Sequence, residues 1–106
     1  MERAISVQTT RYSEFFKRLF DRSSSSAIIE IEGVSYRHGD TTILKENWCT
    51  NAKIRQTREF RLCDGDRFVA SFHDSVSELF ISVDEADWIQ SLSDEKLLRY
   101  EILPIK

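Results

Sequence analysis

An α+β domain with an antiparallel meander sheet is the fold class that this sequence predicts, and three observations carry the prediction. Tyr12, Phe15, Phe16, Leu19 and Phe20 recur at helical spacing and gather on one face. From Ala27 the apolar period changes to two, with Ile29 and Ile31 on one side and Glu30 and Glu32 on the other. Asp64-Gly65 is a short hairpin signal between two alternating runs. Consecutive strands joined by tight turns run antiparallel, so we expect a twisted sheet of roughly 4–6 strands packed against an N-terminal amphipathic helix. A short second helix is expected near residues 84–92.

Taken in order, Ile5, Val7 and Thr9 alternate with Ser6 and Gln8, which suits either a short strand or a tail docked on the sheet. Thr10 stands where a helix cap belongs, and Glu14 favours the first turn of the aromatic helix. The polar face of that helix offers Glu14 to Arg18 and Lys17 to Asp21 as pairs one turn apart. Ser23 to Ser26 end the pattern, because serine competes for backbone hydrogen bonds. The apolar phase shifts by one residue after Gly33, to Val34 and Tyr36, which predicts a bulge at the glycine. Arg37 to Asp40 reads as a hairpin turn, Ile43 to Cys49 as a less regular strand, and Thr50-Asn51 as a second turn. Ile54, Phe60 and Leu62 then share a face, opposite a solvated face of Arg55, Thr57, Glu59 and Arg61.

Past the Asp64-Gly65 turn, Phe68, Ala70 and Phe72 continue the sheet on its core face. Leu79, Ile81 and Val83 resume the alternation, with Phe80 reversed. Ser82 and Glu85 have capping-box spacing ahead of Ala86, Trp88, Ile89 and Leu92, and Leu98, Tyr100 and Ile102 alternate as a last strand.

A chain of 106 residues that is 41% hydrophobic and 31% charged suits one domain over residues 1–106. Three glycines, one proline and twelve aromatics exclude collagen-like and disordered classes. No apolar run approaches the roughly 18 residues of a spanning helix, so no membrane partner is expected. Cys49 and Cys63 match no metal-ribbon spacing, and two unpaired thiols suit a reducing, cytoplasmic setting.

No chemistry stands out. His38, His73, Cys49, Cys63, Asp64 and Asp66 are the possible metal ligands, but nothing in their spacing makes them converge, and no metal or cofactor is called for. His73 and Asp74 are adjacent, yet neighbours in a strand point to opposite faces, so they are expected to diverge. Gly33, Gly39 and Gly65 are isolated and form no phosphate loop. The expectation is therefore a protein that is not an enzyme.

Charge is the remaining signal. The net charge is −3, and between Asp74 and Glu95 the acids Asp74, Glu78, Asp84, Glu85, Asp87, Asp94 and Glu95 occur without an intervening Lys or Arg. Acids around Trp88 suit a protein interface, in which an aromatic anchors and the charges steer toward a basic partner surface. Glu78, Asp84, Glu85, Asp87, Trp88, Asp94 and Glu95 are the expected binding residues. An inhibitor or immunity-type protein that blocks a nucleic-acid enzyme fits this description. The plainer interpretation is a solvated helix face with both tryptophans in the core.

The alternative is RNA or single-stranded DNA binding through Arg55, Arg58, Arg61 and Arg67 around the central hairpin. Against it, those arginines can pair across strands with Glu59, Asp64 and Asp66, and the nearby aromatics are expected in the core rather than on a stacking surface. A homodimer built by edge-strand pairing is a third class.

Overall fold

The computed structural model describes residues 2–105. Its strands are β1 (Glu2–Gln8), β2 (Ala27–Ile31), β3 (Val34–Arg37), β4 (Glu59–Asp64), β5 (Arg67–His73), β6 (Leu79–Ser82) and β7 (Arg99–Ile105). Its helices are α1 (Tyr12–Asp21), α2 (Thr41–Asn47), α3 (Asn51–Gln56) and α4 (Ala86–Asp94). The strands form one seven-stranded sheet in the order β3-β2-β4-β5-β6-β1-β7. Every pairing is antiparallel. The α+β class is as expected, and the strand number is higher. The N-terminal segment is a full strand between β6 and β7, and its Ile5 and Val7 are buried.

The aromatic helix is where the period placed it. Phe15, Phe16, Leu19 and Phe20 of α1 are buried, and the Phe16 ring lies 5.0 Å from Phe60 and 5.2 Å from Trp48. Trp48 stacks on Phe60, and Phe60 stacks on Phe72. Burial of rings this size dominates the core energy, at about 1.5–3 kcal/mol for a fully buried phenylalanine. Thr10 does not cap α1. Instead the Thr9 hydroxyl accepts from the Arg11 N–H, and Asn51, brought in from α3, accepts from the Ser13 N–H. Arg18 pairs with Glu14 as expected, whereas Asp21 pairs with Lys45 of α2 in place of Lys17.

The largest departure lies between residues 41 and 58. The strand expected over Ile43 to Cys49 is helix α2, and the turn at Thr50-Asn51 opens helix α3, where the Thr50 hydroxyl accepts from the Lys53 N–H. Arg37 to Asp40 is not a hairpin turn but a 3-10 turn leading into α2. Thr41, Leu44 and Trp48 are buried at i, i+3 and i+7, and Cys49 is buried beside Trp48. Thr57 is buried too; its hydroxyl accepts from the Trp48 indole N–H at 2.9 Å and donates to the Lys53 carbonyl at 2.8 Å. It is not part of a solvated strand face.

Gly33 marks no bulge. Glu32 and Gly33, at φ 51° and 82°, are the two central residues of a β2–β3 hairpin with Ile31 opposite Val34. Two successive positive φ angles are those of a type I′ turn, which accounts for the phase shift. The bulge lies elsewhere: Leu62 pairs with Ala70 but Cys63 pairs with Phe68, so Val69 is an extra residue in β5. Val69 joins Ala70 in the core, and Phe68 turns to the opposite face. The Asp64-Gly65 hairpin is present, with Gly65 at φ 62° between paired Asp64 and Arg67.

All four helices cover one face of the sheet. Leu44 of α2, Ile54 of α3, and Ile89 and Leu92 of α4 join α1 and the inward strand residues in one core cluster. The other face carries Ile28, Glu30, Arg61, Cys63, Phe68, Phe80, Ala4 and Leu103, none of which belongs to that cluster. Among the described residues, no helix crosses that second face, and no helix is long and apolar enough to span a membrane.

Candidate functional site

The expected acidic surface is built from the 3-10 turns at Val76–Glu78 and Val83–Glu85, helix α4 and the turn after it. The Ser82 hydroxyl caps this region by accepting from the Asp84 N–H, while Glu85 reaches α1 instead of closing a capping box. The carboxylates are interleaved with arginines. Asp84 lies 3.5 Å from Arg67 of β5, Glu85 lies 3.0 Å from Arg22 and Glu95 lies 3.1 Å from Arg18. Trp88 is half-buried, packed 5.8 Å from Phe15, with the Arg22 guanidinium over its ring. Asp94 accepts from the Gln90 amide. Glu78 and Asp87 are exposed and outside the ion pairs found among the described residues. Charges of both signs therefore alternate across this surface, and the tryptophan already has a cation on its ring.

The four arginines of the alternative do not converge. Arg55 is exposed on α3, in the helical layer, whereas Arg61 projects from the uncovered sheet face opposite Glu30. Arg67 is engaged by Asp64 and Asp84, and the Arg58 backbone donates to Glu32. Arg55 and Arg61 do not share a face, because the chain from residue 51 to 56 is helical.

His73 and Asp74 do touch. His73 closes β5, and Asp74 turns away at φ 69°, bringing its carboxylate 3.5 Å from Nε2 while Glu59 lies 3.2 Å from Nδ1. The pair is highly exposed, which leaves water free to compete for the imidazole. A second pair leaves no signal in the sequence: Ser23 Oγ lies 3.1 Å from His38 Nδ1. That hydroxyl donates to the Phe20 carbonyl at 2.7 Å, so it closes the end of α1. Among the described residues no three His, Cys, Asp or Glu side chains cluster as a metal site would require.

Cys49 and Cys63 are both free and lie in different layers. Burial pushes the Cys49 thiol up to about 12. Cys63 is half-buried on the uncovered face, where Arg61 Nε donates to its sulfur at 3.3 Å.

The uncovered face is the surface that the sequence did not reveal. One row runs Ile28, Cys63 and Phe68, then Ser82, Ala4 and Leu103, and Phe80 lies in the next row between Ser71 and Ser6. Ala4 is 3% exposed although it lies outside the core cluster, so its neighbours on this face bury it. Acids and bases flank these residues in similar number: Glu30, Glu59 and Glu101 against Arg37, Arg61 and Arg99. Phe80 was placed on this side by its alternation. Phe68 was not, because Phe68, Ala70 and Phe72 keep a perfect period of two and hide the bulge.

No protein-family model, curated protein or solved structure matches this chain.

Proposed function

We propose that this chain is a non-catalytic protein-binding module whose contact surface is the uncovered face of the sheet. The observation that supports the proposal is the set of accessible apolar side chains Ile28, Cys63, Phe68, Phe80 and Leu103, on a face without a second layer among the described residues. Apolar side chains interspersed with small polar ones and rimmed by charge are what association sites expose, and half-buried phenylalanines supply rigid anchors. The balanced rim gives little electrostatic choice of partner, so shape and apolar fit select it.

A second reading keeps the inhibitor of a nucleic-acid enzyme, docking by its acidic side. It now rests on Glu78, Asp87 and Asp94, which lie outside the arginine pairs, and on the net charge of −3. Of the four arginines of the nucleic-acid alternative, only Arg61 shares the uncovered face with Phe68 and Phe80, with Ser71 between it and Phe80, and Glu30 and Glu59 on the same face oppose it.

One comparison separates the three. Affinity capture from native cells is run with the parent chain, with Phe80→Lys and with the Glu78→Lys, Asp87→Lys pair, each checked for native circular dichroism. Loss of a bound protein with Phe80→Lys alone supports the sheet face. Loss with the double variant alone transfers the site to the acidic side, and material released by nuclease assigns the nucleic-acid alternative.

A further inference from the structure

We propose that β7 is a dimerisation edge, at which a second copy of this chain adds its own β7 antiparallel about a two-fold axis through Tyr100. The sheet ends in two edges of unequal length, with four residues in β3 and seven in β7. A long edge leaves a row of backbone donors and acceptors open to pairing. Ile102 of β7 is 46% exposed, although it faces the helical side and pairs with Ile5, which is completely buried. The helical layer reaches the edge at Tyr100, whose hydroxyl donates to Gln90 of α4, but stops short of it at Ile102 and leaves that apolar side chain uncovered.

The order of residues selects the register. Arg99 and Glu101 flank Tyr100, and both are exposed on the same face of the sheet. Pairing about Tyr100 sets Arg99 opposite Glu101 of the second copy, and Glu101 opposite its Arg99. Directly opposed side chains have Cβ atoms roughly 4.5–5.5 Å apart, within reach of an ion pair. On the other face, the same register sets the exposed Ile102 opposite the residue before β7 of the second copy, Leu98, whose side chain is already buried in that copy's core. Pro104, which has no N–H to give, falls opposite Lys96, where φ of 61° has already taken the chain out of extended conformation. A register one residue away, centred on Glu101, sets Arg99 opposite Leu103 and loses both ion pairs. The contact is isologous and closed, and it leaves only the short β3 strands as edges.

The inference does not depend on which face binds a partner. Sedimentation velocity of the full chain, up to about 1 mM, reads it directly. The parent chain is expected to show a concentration-dependent dimer. Glu101→Arg sets like charges opposite one another at both symmetry-related positions, and should raise the dimer dissociation constant on the order of tenfold. Exchanging the two charges, Arg99→Glu with Glu101→Arg, recreates opposite pairs and should restore the dimer. Both positions are exposed, and circular dichroism checks that each variant keeps its fold. A parent chain that stays monomeric overturns the inference and makes Arg99 and Glu101 edge guards. A dimer indifferent to Glu101→Arg places the contact elsewhere and overturns it equally.

Discussion

Arg22 holds its guanidinium carbon 4.6 Å from the centre of the Trp88 ring. Its Nη2 also lies 3.0 Å from Glu85, whose side chain is only 12% exposed. The arginine thus does two things: it occupies the face that an interface tryptophan would offer to a partner, and it compensates a largely buried carboxylate. Arg22→Ala leaves Glu85 with no counter-charge and is expected to cost about 1–2 kcal/mol in urea unfolding at neutral pH. Glu85→Gln should cost less in the Arg22→Ala background than in the parent chain, a coupling that a double-mutant cycle measures.

The same arginines were not legible in the acidic segment. Asp84, Glu85 and Glu95 belong to the Asp74 to Glu95 stretch, which holds no Lys or Arg, but Arg67, Arg22 and Arg18 reach them from β5 and α1. Local charge density says nothing of partners supplied by tertiary contact. Periodicity was a better guide where one face was buried over several turns or strands, as in α1 and in β2, whose inward residues Ala27, Ile29 and Ile31 alternate as the sequence implied. It failed over α2 and α3, because each is seven residues or fewer and holds one or two buried side chains. The signal available there was Leu44 and Trp48 one turn apart, with Thr50 as a cap ahead of Asn51. The bulge at Val69 left no trace of its own in an alternating run, so the outward turn of Phe68 was illegible.

The end of α4 is a Schellman motif with a lysine where glycine is usual. Leu97 N–H donates to the Leu92 carbonyl at 3.0 Å, Lys96 N–H donates to Ser93 at 2.9 Å, and Lys96 has φ of 61°. Leu92 and Leu97 are both buried, which supplies the apolar contact of the motif. A left-handed residue with a Cβ is strained by about 1–2 kcal/mol, and glycine removes that strain at some cost in chain entropy. Lys96→Gly is therefore expected to stabilise the protein by up to about 1 kcal/mol, seen as a higher urea midpoint with unchanged slope.

The two thiols should react on very different timescales. Cys49 is 1% exposed in the core, and burial raises its thiol to about 12, which suppresses both the thiolate and its access. Cys63 is half-buried on the uncovered face beside Arg61. Titration of the native chain with a thiol reagent near pH 8 should label one cysteine quickly, and mass mapping should find it at Cys63. Cys49 should react only at the rate at which the core opens, and addition of urea should release it.

Acid should expose the role of Asp64. Its carboxylate accepts from Ser24 at 2.5 Å and Ser26 at 2.6 Å, and lies 3.4 Å from Arg67, which ties the serine run to the β4–β5 hairpin. The Ser24 and Ser26 hydroxyls, and then Arg67, hold its carboxyl below the usual value, just as Arg18 and then Arg11 do for Glu14. A carboxyl whose pKa is lower folded than unfolded adds stability that is fully present above the unfolded pKa and is lost as pH falls through the folded one. Stability should thus decline from about pH 4 downward. Asp64→Asn should flatten that decline, read as the urea midpoint across the acid range. Salt distinguishes the two carboxylates: the Glu14 contribution comes from arginine ion pairs and should shrink at high ionic strength, while hydrogen bonds from neutral serines should leave most of the Asp64 contribution in place.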